Sequence, residues 1–378
     1  MSGACAQTAG TSINEPALLP GLADMSPNLS PTTLPSYARK PHLVCPAGSL
    51  RALQLAVNAG ADAVYMGLKD ATNARNFAGL NFDLEQAQEG VAHAHAKGAQ
   101  VLMALNTFAR ADEPERWYRA VDTAAEMGAD ALICADTAVM AYACREHPQM
   151  RLHLSVQASA TSYEAIEFYR EHYGIQRAVL PRVLMLSHIG HVLRNSSVEI
   201  EVFGFGSLCV MVEGRCALSS YVTGQSPNNA GVCSPPSAVR WIDRVEGVQA
   251  RLGEVLIDQF GPAESRGYPT LCKGRFNVNG RRDYALEDPS SLNSMALLPE
   301  LMAMGIAAIK IEGRQRSAAY VEQVTGVWRQ AIDACYRAGP AGGDGAERFS
   351  VQPAWAATLA EHAEGQQVTL GAYSRPWR

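Results

Sequence analysis

The chain has 378 residues, 47% hydrophobic and 18% charged, enough apolar material for one large core and for a single α/β barrel. A net charge of -5 and a pI near 6.0 leave no basic footprint for a polyanion, so no nucleic-acid partner is expected. Nine cysteines in no compact pattern exclude a small disulfide scaffold, and no run of about 18 apolar residues offers a membrane span.

Residues 1–40 are rich in Ser, Thr, Pro, Gly and Ala, which predicts a disordered extension with Cys5 incidental to it. They show no basic region followed by an apolar block, so no secretory signal is expected and the protein reads as cytoplasmic with reduced thiols. From His42 short apolar runs recur at 42–45, 62–66, 99–105, 130–134, 152–156, 177–181, 199–204 and 306–311, and each predicts a buried strand. Amphipathic stretches at 49–59, 84–97, 113–127, 161–172, 187–194 and 317–338 have helical spacing. A glycine repeatedly separates helix from strand, as in AHAKGAQVLMA and AAEMGADALIC, where it serves as a left-handed helix stop.

Eight strand–helix units predict an α/β fold, a (β/α)8 TIM-type barrel over 41–338, with a long insertion after strand seven at 205–295. The competing open, doubly wound sheet would have fewer units and a Gly-rich phosphate loop, and no GxGxxG is present. A Gly-rich joint at 339–347 leads to a short helix and tail ending at 378.

In such barrels the chemistry sits at the carboxyl ends of the strands. Those ends carry Met66–Gly67, Asn106–Thr107, Asp136, Gln157, Arg182, Gly206 and Glu312–Gly313–Arg314. Asn73 and Arg75, in the loop after strand two, are either a loop-stabilising network or a carboxylate-binding pair, since Arg offers a bidentate fork. Glu312 and Arg314 either pair across their loop or contact substrate. These four are the candidate catalytic residues. Asn106, Asp136, Gln157 and Arg182 read first as hydrogen-bonded rim residues. Tyr65–Met66 and Trp117–Tyr118 match buried spacing, and Cys45, Cys134, Cys144 and Cys335 read as packed thiols.

Four other cysteines sit in polar, Gly- or Pro-punctuated settings: Cys209, Cys216, Cys233 and Cys272, spaced C-x6-C-x16-C-x38-C within the insertion. Zinc ribbons bring ligands in as tight C-x2-4-C pairs, and none exists here. A cubane cluster accepts thiolates from separate loops. Gly206, Gly214 and Gly231 would allow close backbone approach to it, and Arg215, Lys273 and Arg275 would offset its charge, with Glu213 and Arg215 beside the ligands. From residues alone an iron–sulfur cluster, a zinc ion and unligated cysteines all remain open.

The segments CPAGS, GADAVYMGLKDATNARNFAGLNF, ALNTFA, SVQASATS, FGFGSLCVMVEGRCALSSYVTGQSPN, GVCSP, YPTLCKGR and IKIEGRQRSAAYV resemble the collagenase-like peptidase family of unknown catalytic type. Within it they are similar to the branch acting in oxygen-independent ubiquinone biosynthesis, and the match runs from about residue 42 to the C-terminus. The resemblance implies that Cys209, Cys216, Cys233 and Cys272 bind a 4Fe-4S cluster. It implies a heterodimer with a UbiV-like, cluster-bearing paralogue that hydroxylates ubiquinone precursors without dioxygen, aided by a sterol-carrier-like lipid-binding protein. Other members modify tRNA or rRNA, so an RNA-base hydroxylase is the first alternative, and a metal-stabilised scaffold without catalysis is the second. Peptidase activity is not expected: neither GxSxG nor HExxH occurs, and His93, His95, His153 and His172 are scattered.

Overall fold

The computed structural model describes residues 37, 39–209, 216–264, 266–340 and 348–374. The extension expected over 1–40 lies almost wholly outside the described residues, as do Glu213, Gly214, Arg215 and most of the Gly-rich joint.

Strand and helix alternate from the start of the described chain: β1 (His42–Pro46), α1 (Leu50–Asn58), β2 (Ala63–Met66), α2 (Leu84–Ala96), β3 (Gln100–Leu105), α3 (Glu115–Glu126), β4 (Ala131–Cys134), α4 (Thr137–Glu146), β5 (Arg151–Leu154), α5 (Tyr163–Tyr173), β6 (Arg177–Val179), α6 (Leu186–Asn195) and β7 (Glu199–Ser207). The insertion follows, with short helices α7 (Ala217–Thr223) and α8 (Pro227–Ala230) and strands β8 (Val239–Arg244), β9 (Gly247–Leu252), β10 (Val255–Phe260), β11 (Arg275–Val278), β12 (Arg281–Tyr284) and β13 (Ser291–Asn293). Then come α9 (Leu298–Ala303), β14 (Ala308–Ile311), α10 (Ala318–Ala338), α11 (Pro353–His362) and β15 (Val368–Thr369).

Strands β1 to β7 pair in parallel, each with the next, and β14 pairs in parallel with both β7 and β1, which closes an eight-stranded barrel. The expected fold is the observed one. Period-two alternation sorts the strand residues into two buried groups. Val44, Ala63, Tyr65, Leu102, Ala131, Ile133 and Ala308 pack inside the barrel. Their neighbours Leu43, Cys45, Val64, Met66, Val101 and Met103 pack outward with the helices. Trp117 on α3 and Trp328 on α10 are both fully buried in that outer layer. Helix stops follow the sequence pattern: Gly98 after α2 has φ +74, a conformation that costs other residues steric strain.

Two expected strands stop before the carboxyl ends of their apolar runs. β5 ends at Leu154, because Ser155 caps a single 3-10 turn over Val156–Ala158 by accepting from Gln157 N. β6 ends at Val179, just before Pro181, which has no N–H to extend the ladder.

The insertion is a small β layer. β8, β9 and β10 form an antiparallel sheet, β11 and β12 form a hairpin, and β13 pairs antiparallel with the end of β7. It packs on the carboxyl face of the barrel. Phe108 N donates to Asn228 O at 2.8 Å and Asn76 N donates to Gly231 O at 3.2 Å, which joins it to the loops after β3 and β2. The C-terminal segment returns to the same region: β15 pairs with β13, and the Tyr373 hydroxyl donates to Phe203 O at 2.7 Å.

Candidate functional site

The carboxyl ends of the strands converge on a small pocket lined by Tyr65, Arg75, Asn106, Val156, Gln157, Arg182, Phe203, Lys310, Glu312 and Arg314. Of the four candidate catalytic residues, Arg75, Glu312 and Arg314 line it and Asn73 does not. Asn73 is fully buried beside it. Its amide donates to Leu68 O at 2.5 Å, and its Oδ1 accepts from Arg75 N at 3.0 Å and from Arg314 Nη1 at 3.2 Å. Asn73 therefore fixes the two arginines rather than facing the pocket.

Several lining residues are held by specific partners. Asn106 Oδ1 accepts from Ala74 N at 2.9 Å, which ties β3 to the Arg75 loop. Arg182 Nη1 donates to Ser207 O, and its guanidinium lies 4.4 Å above the Phe203 ring. Arg75 Nε is 4.0 Å from Glu312 Oε1, and Ser207 N donates to Glu312 Oε2 at 3.3 Å. Burial pushes the Arg314 guanidinium down to about 10, partly countered by Tyr65 and Glu312. Four cations and one carboxylate thus surround two aromatic walls, which suits a planar ring carrying an electron-rich or anionic substituent. Asp136, also at a strand end, serves another purpose. It caps α4, accepting from Ala138 N at 2.7 Å, and accepts from Ala109 N at 3.0 Å.

Two pocket features escape the sequence reading. Tyr65, read there as plain core, donates from its hydroxyl to Ile311 O at 2.9 Å and presents its ring to Lys310 and Arg314 at 4.0 and 5.5 Å. Beneath it runs a buried charge ladder inside the barrel. Lys310 Nζ lies 2.7 Å from Glu201 Oε1, Arg177 Nη1 lies 3.4 Å from Glu201 Oε2, and Arg177 Nη2 lies 2.8 Å from Glu199 Oε2. Burial pushes the Glu201 carboxyl up, but Lys310 and Arg177 outweigh it and hold it below the usual range. The signal was a charged residue at the inward position of an apolar strand, as in EIEV and IKI.

The four cysteines of the insertion share one neighbourhood above this pocket. Cys209 follows β7, Cys216 precedes α7 and bonds Ser219 Oγ through its Sγ at 3.4 Å, Cys233 follows α8, and Cys272 sits in a 3-10 turn. Burial raises the Cys233 thiol, with Arg75 pulling it back and Cys209 and Cys216 adding to the rise. Burial, Cys209 and Cys233 push Cys272 up to about 11. The thiols thus lie close enough to act on one another, and Arg75 acts on both the cysteine set and the pocket. Among the described residues no three His, Cys, Asp or Glu side chains converge as one metal ion requires.

The frame around the cysteines is structural. Gly231, with φ +77, sits where a Cβ would lie 2.1 Å from Asn73 O, so its missing side chain admits the Arg75 loop. Arg275, expected to offset cluster charge, is engaged by Asp258 at 2.8 Å and Glu264 at 2.6 Å. Lys273 pairs with Glu364, which also accepts from Ser207 Oγ at 2.6 Å.

Comparison with known proteins places this geometry in a family. Over 336 residues the chain is 31% identical to tRNA hydroxylation protein P1 of Bacillus subtilis, spanning 88% of this chain and 70% of that protein. It is 33% identical to tRNA hydroxylation protein P of Escherichia coli over 317 residues, 78% of this chain and 68% of that one. It is also 30% identical to the Escherichia coli 23S rRNA 5-hydroxycytidine C2501 synthase, over 77% of this chain and 39% of that enzyme. The model of peptidase family U32 matches residues 48–372, and the chain belongs to that family.

Proposed function

We propose that this chain is the iron–sulfur subunit of an oxygen-independent ring hydroxylase, with Cys209, Cys216, Cys233 and Cys272 holding a 4Fe-4S cluster and the mouth pocket taking the ring. The observation that carries this reading is the hydrogen bond from Asn76 N to Gly231 O at 3.2 Å, which seats the Cys233 segment on the loop of the pocket residue Arg75. An all-sulfur donor set suits iron–sulfur chemistry, and two half-buried thiols with raised pKa values are costly to ionise unless a cationic group sits among them. A bound cluster would supply one-electron transfer. The chain's own residues then bind and orient the ring: Tyr65 and Phe203 pack its faces, Arg75, Arg182 and Arg314 attract its electron-rich substituent, and Glu312 fixes Arg75. No Ser, Thr, Cys or His is among the described residues lining the pocket, which weighs against a peptidase nucleophile.

For the substrate we propose a ubiquinone precursor, as in the similar protein UbiU, with a UbiV-like paralogue as partner and a lipid-binding accessory protein delivering the ring. The net charge of -5 supports a substrate without a phosphate backbone. The names of the relatives favour a second reading, hydroxylation of a tRNA or rRNA base.

One strain decides between them. A deletion strain carrying the Cys209→Ala variant is grown without oxygen, and its quinones and digested RNA nucleosides are profiled together. Loss of ubiquinone with intact nucleosides supports the first reading, and loss of a hydroxylated nucleoside supports the second. Both unchanged sinks the hydroxylase assignment.

A further inference from the structure

The floor of the mouth pocket holds a lysine to which the preceding reading gives no role. Lys310 projects inward from β14 with 6% of its side chain exposed, and it lines the pocket. An ammonium carries three N–H donors. One is taken by Glu201 Oε1 at 2.7 Å, and the group sits 4.0 Å above the Tyr65 ring, whose face takes a second direction.

The other charged groups around it offer nothing to the third donor. Glu201 on β7 already shares its second oxygen with Arg177 on β6. Arg177 and Arg314 are themselves cations and have no acceptor. His153 on β5 is kept neutral by burial and by Arg177, and neither ring nitrogen has a hydrogen-bond partner among the described residues. The direction that remains is the pocket.

We infer that Lys310 is a substrate-contacting residue that donates a hydrogen bond to an oxygen on the ring to be hydroxylated, and that it selects rings bearing a phenolic or carbonyl oxygen. The inference rests on the reading that this pocket takes the ring. Glu201 is the positioning residue. Burial pulls the Lys310 ammonium below its usual range and Glu201 opposes that pull, so the carboxylate both aims the amine and keeps it charged. A phenol bound there gains a charge-assisted hydrogen bond, while a ring of equal size without oxygen leaves the ammonium buried and short of a partner.

The test is equilibrium binding to the anaerobically purified full chain, read by ligand-observed magnetic resonance with phenol, toluene and uridine as probes. In Lys310→Met, phenol or uridine affinity is expected to fall about tenfold while toluene binding stays within about twofold. Phenol loss points to a quinone-type ring and uridine loss to a pyrimidine. Loss for neither oxygen-bearing probe, or equal loss for all three, overturns the inference.

Should Lys310→Met fail to fold, the Lys310→Met/Glu201→Met double variant removes both buried charges, Arg177 keeping Glu199 as its partner. It is expected to give the same pattern. For Glu201→Gln, phenol or uridine affinity should be lost at a lower pH on the alkaline side than in the parent, because the ammonium deprotonates more readily. An unchanged pH profile removes Glu201 from the role. Because binding is measured without turnover, failure of the hydroxylase reading leaves this result intact, and the reverse also holds.

Discussion

Arg314 Nη1 donates to Asn73 Oδ1 at 3.2 Å, joining the end of the last barrel strand to the loop after the second, 241 residues earlier in the chain. β14 and β2 are not neighbours in the barrel, since β1 lies between them. The contact therefore braces the mouth across a strand, and it holds a buried guanidinium over the Tyr65 ring. Asn73→Ala removes the acceptor of Arg314 and the donor to Leu68 O together, leaving buried polar groups unpaired. The expected cost is about 2–3 kcal/mol of stability, read as a lower urea midpoint with unchanged slope. Ring binding should weaken as well, because Arg314 loses its anchor.

Gly231 couples the cysteine insertion to that same loop, and Gly128 provides its control. Both have positive φ, +77 and +80, so an alanine at either is strained by about 1 kcal/mol. They differ in surroundings: a Cβ at Gly231 would meet Asn73 O at 2.1 Å, whereas one at Gly128 meets nothing within 4 Å. Gly231→Ala is expected to displace the Cys233 segment and to lower both the thermal midpoint and the iron retained after anaerobic purification. Gly128→Ala should cost only its backbone strain and keep full iron. Equal iron in the two variants would show that the insertion does not depend on this contact.

The barrel was readable because its signals are local. A short apolar run, a glycine such as Gly98 and an amphipathic stretch each act within one unit, and the count of eight then points to closure. Arg75, Glu312 and Arg314 were readable as mouth residues because they follow strand ends. Asn73 was correctly placed in the mouth loop, but its role depends on partners at positions 68, 75 and 314, and only folding reveals that set. Tyr65 is buried, as its spacing predicts, and its further contacts are hidden from the sequence for a related reason. Burial spacing identifies an inward aromatic but not the cations stacked on it, and those come from β14 and the loop after it. The ladder of Glu201, Arg177 and Lys310 left a fainter trace, single charges inside apolar runs, each interpretable only once the inward register of its strand is known.

The cysteine assignment makes a graded prediction. Serine at Cys209, Cys216, Cys233 or Cys272 is expected to reduce iron and acid-labile sulfide well below the parent's about four of each per chain. Cys134→Ala should leave both unchanged, since Cys134 is fully buried among apolar neighbours in the outer layer of β4. Electron paramagnetic resonance of the reduced protein gives a second readout, because loss of one thiolate ligand alters the signal even where iron is partly kept. One zinc per chain in the parent, with no sulfide, would refute the cluster.

His153 supplies a pH dependence whose sign follows from its burial. The imidazole is 2% exposed on the inward face of β5, and neither nitrogen has a partner among the described residues. Burial first, and then the positive charge of Arg177, push it down to about 3, with Glu201 pulling the other way. The folded pKa lies below the unfolded value of about 6.5. As pH falls below about 6.5, the unfolded chain gains a proton that the folded chain refuses until about 3, so acid costs folding stability across that window. The slope is about 1.4 kcal/mol per pH unit for one proton. His153→Gln removes this contribution without adding a charge. Whatever the variant's stability relative to the parent at about pH 7.5, the difference should shift in its favour by up to about 2 kcal/mol at about pH 5, read from urea midpoints at both values. A difference that is the same at both would mean that His153 takes up its proton in the folded barrel as readily as in the unfolded chain, and that Glu201 rather than burial governs the interior.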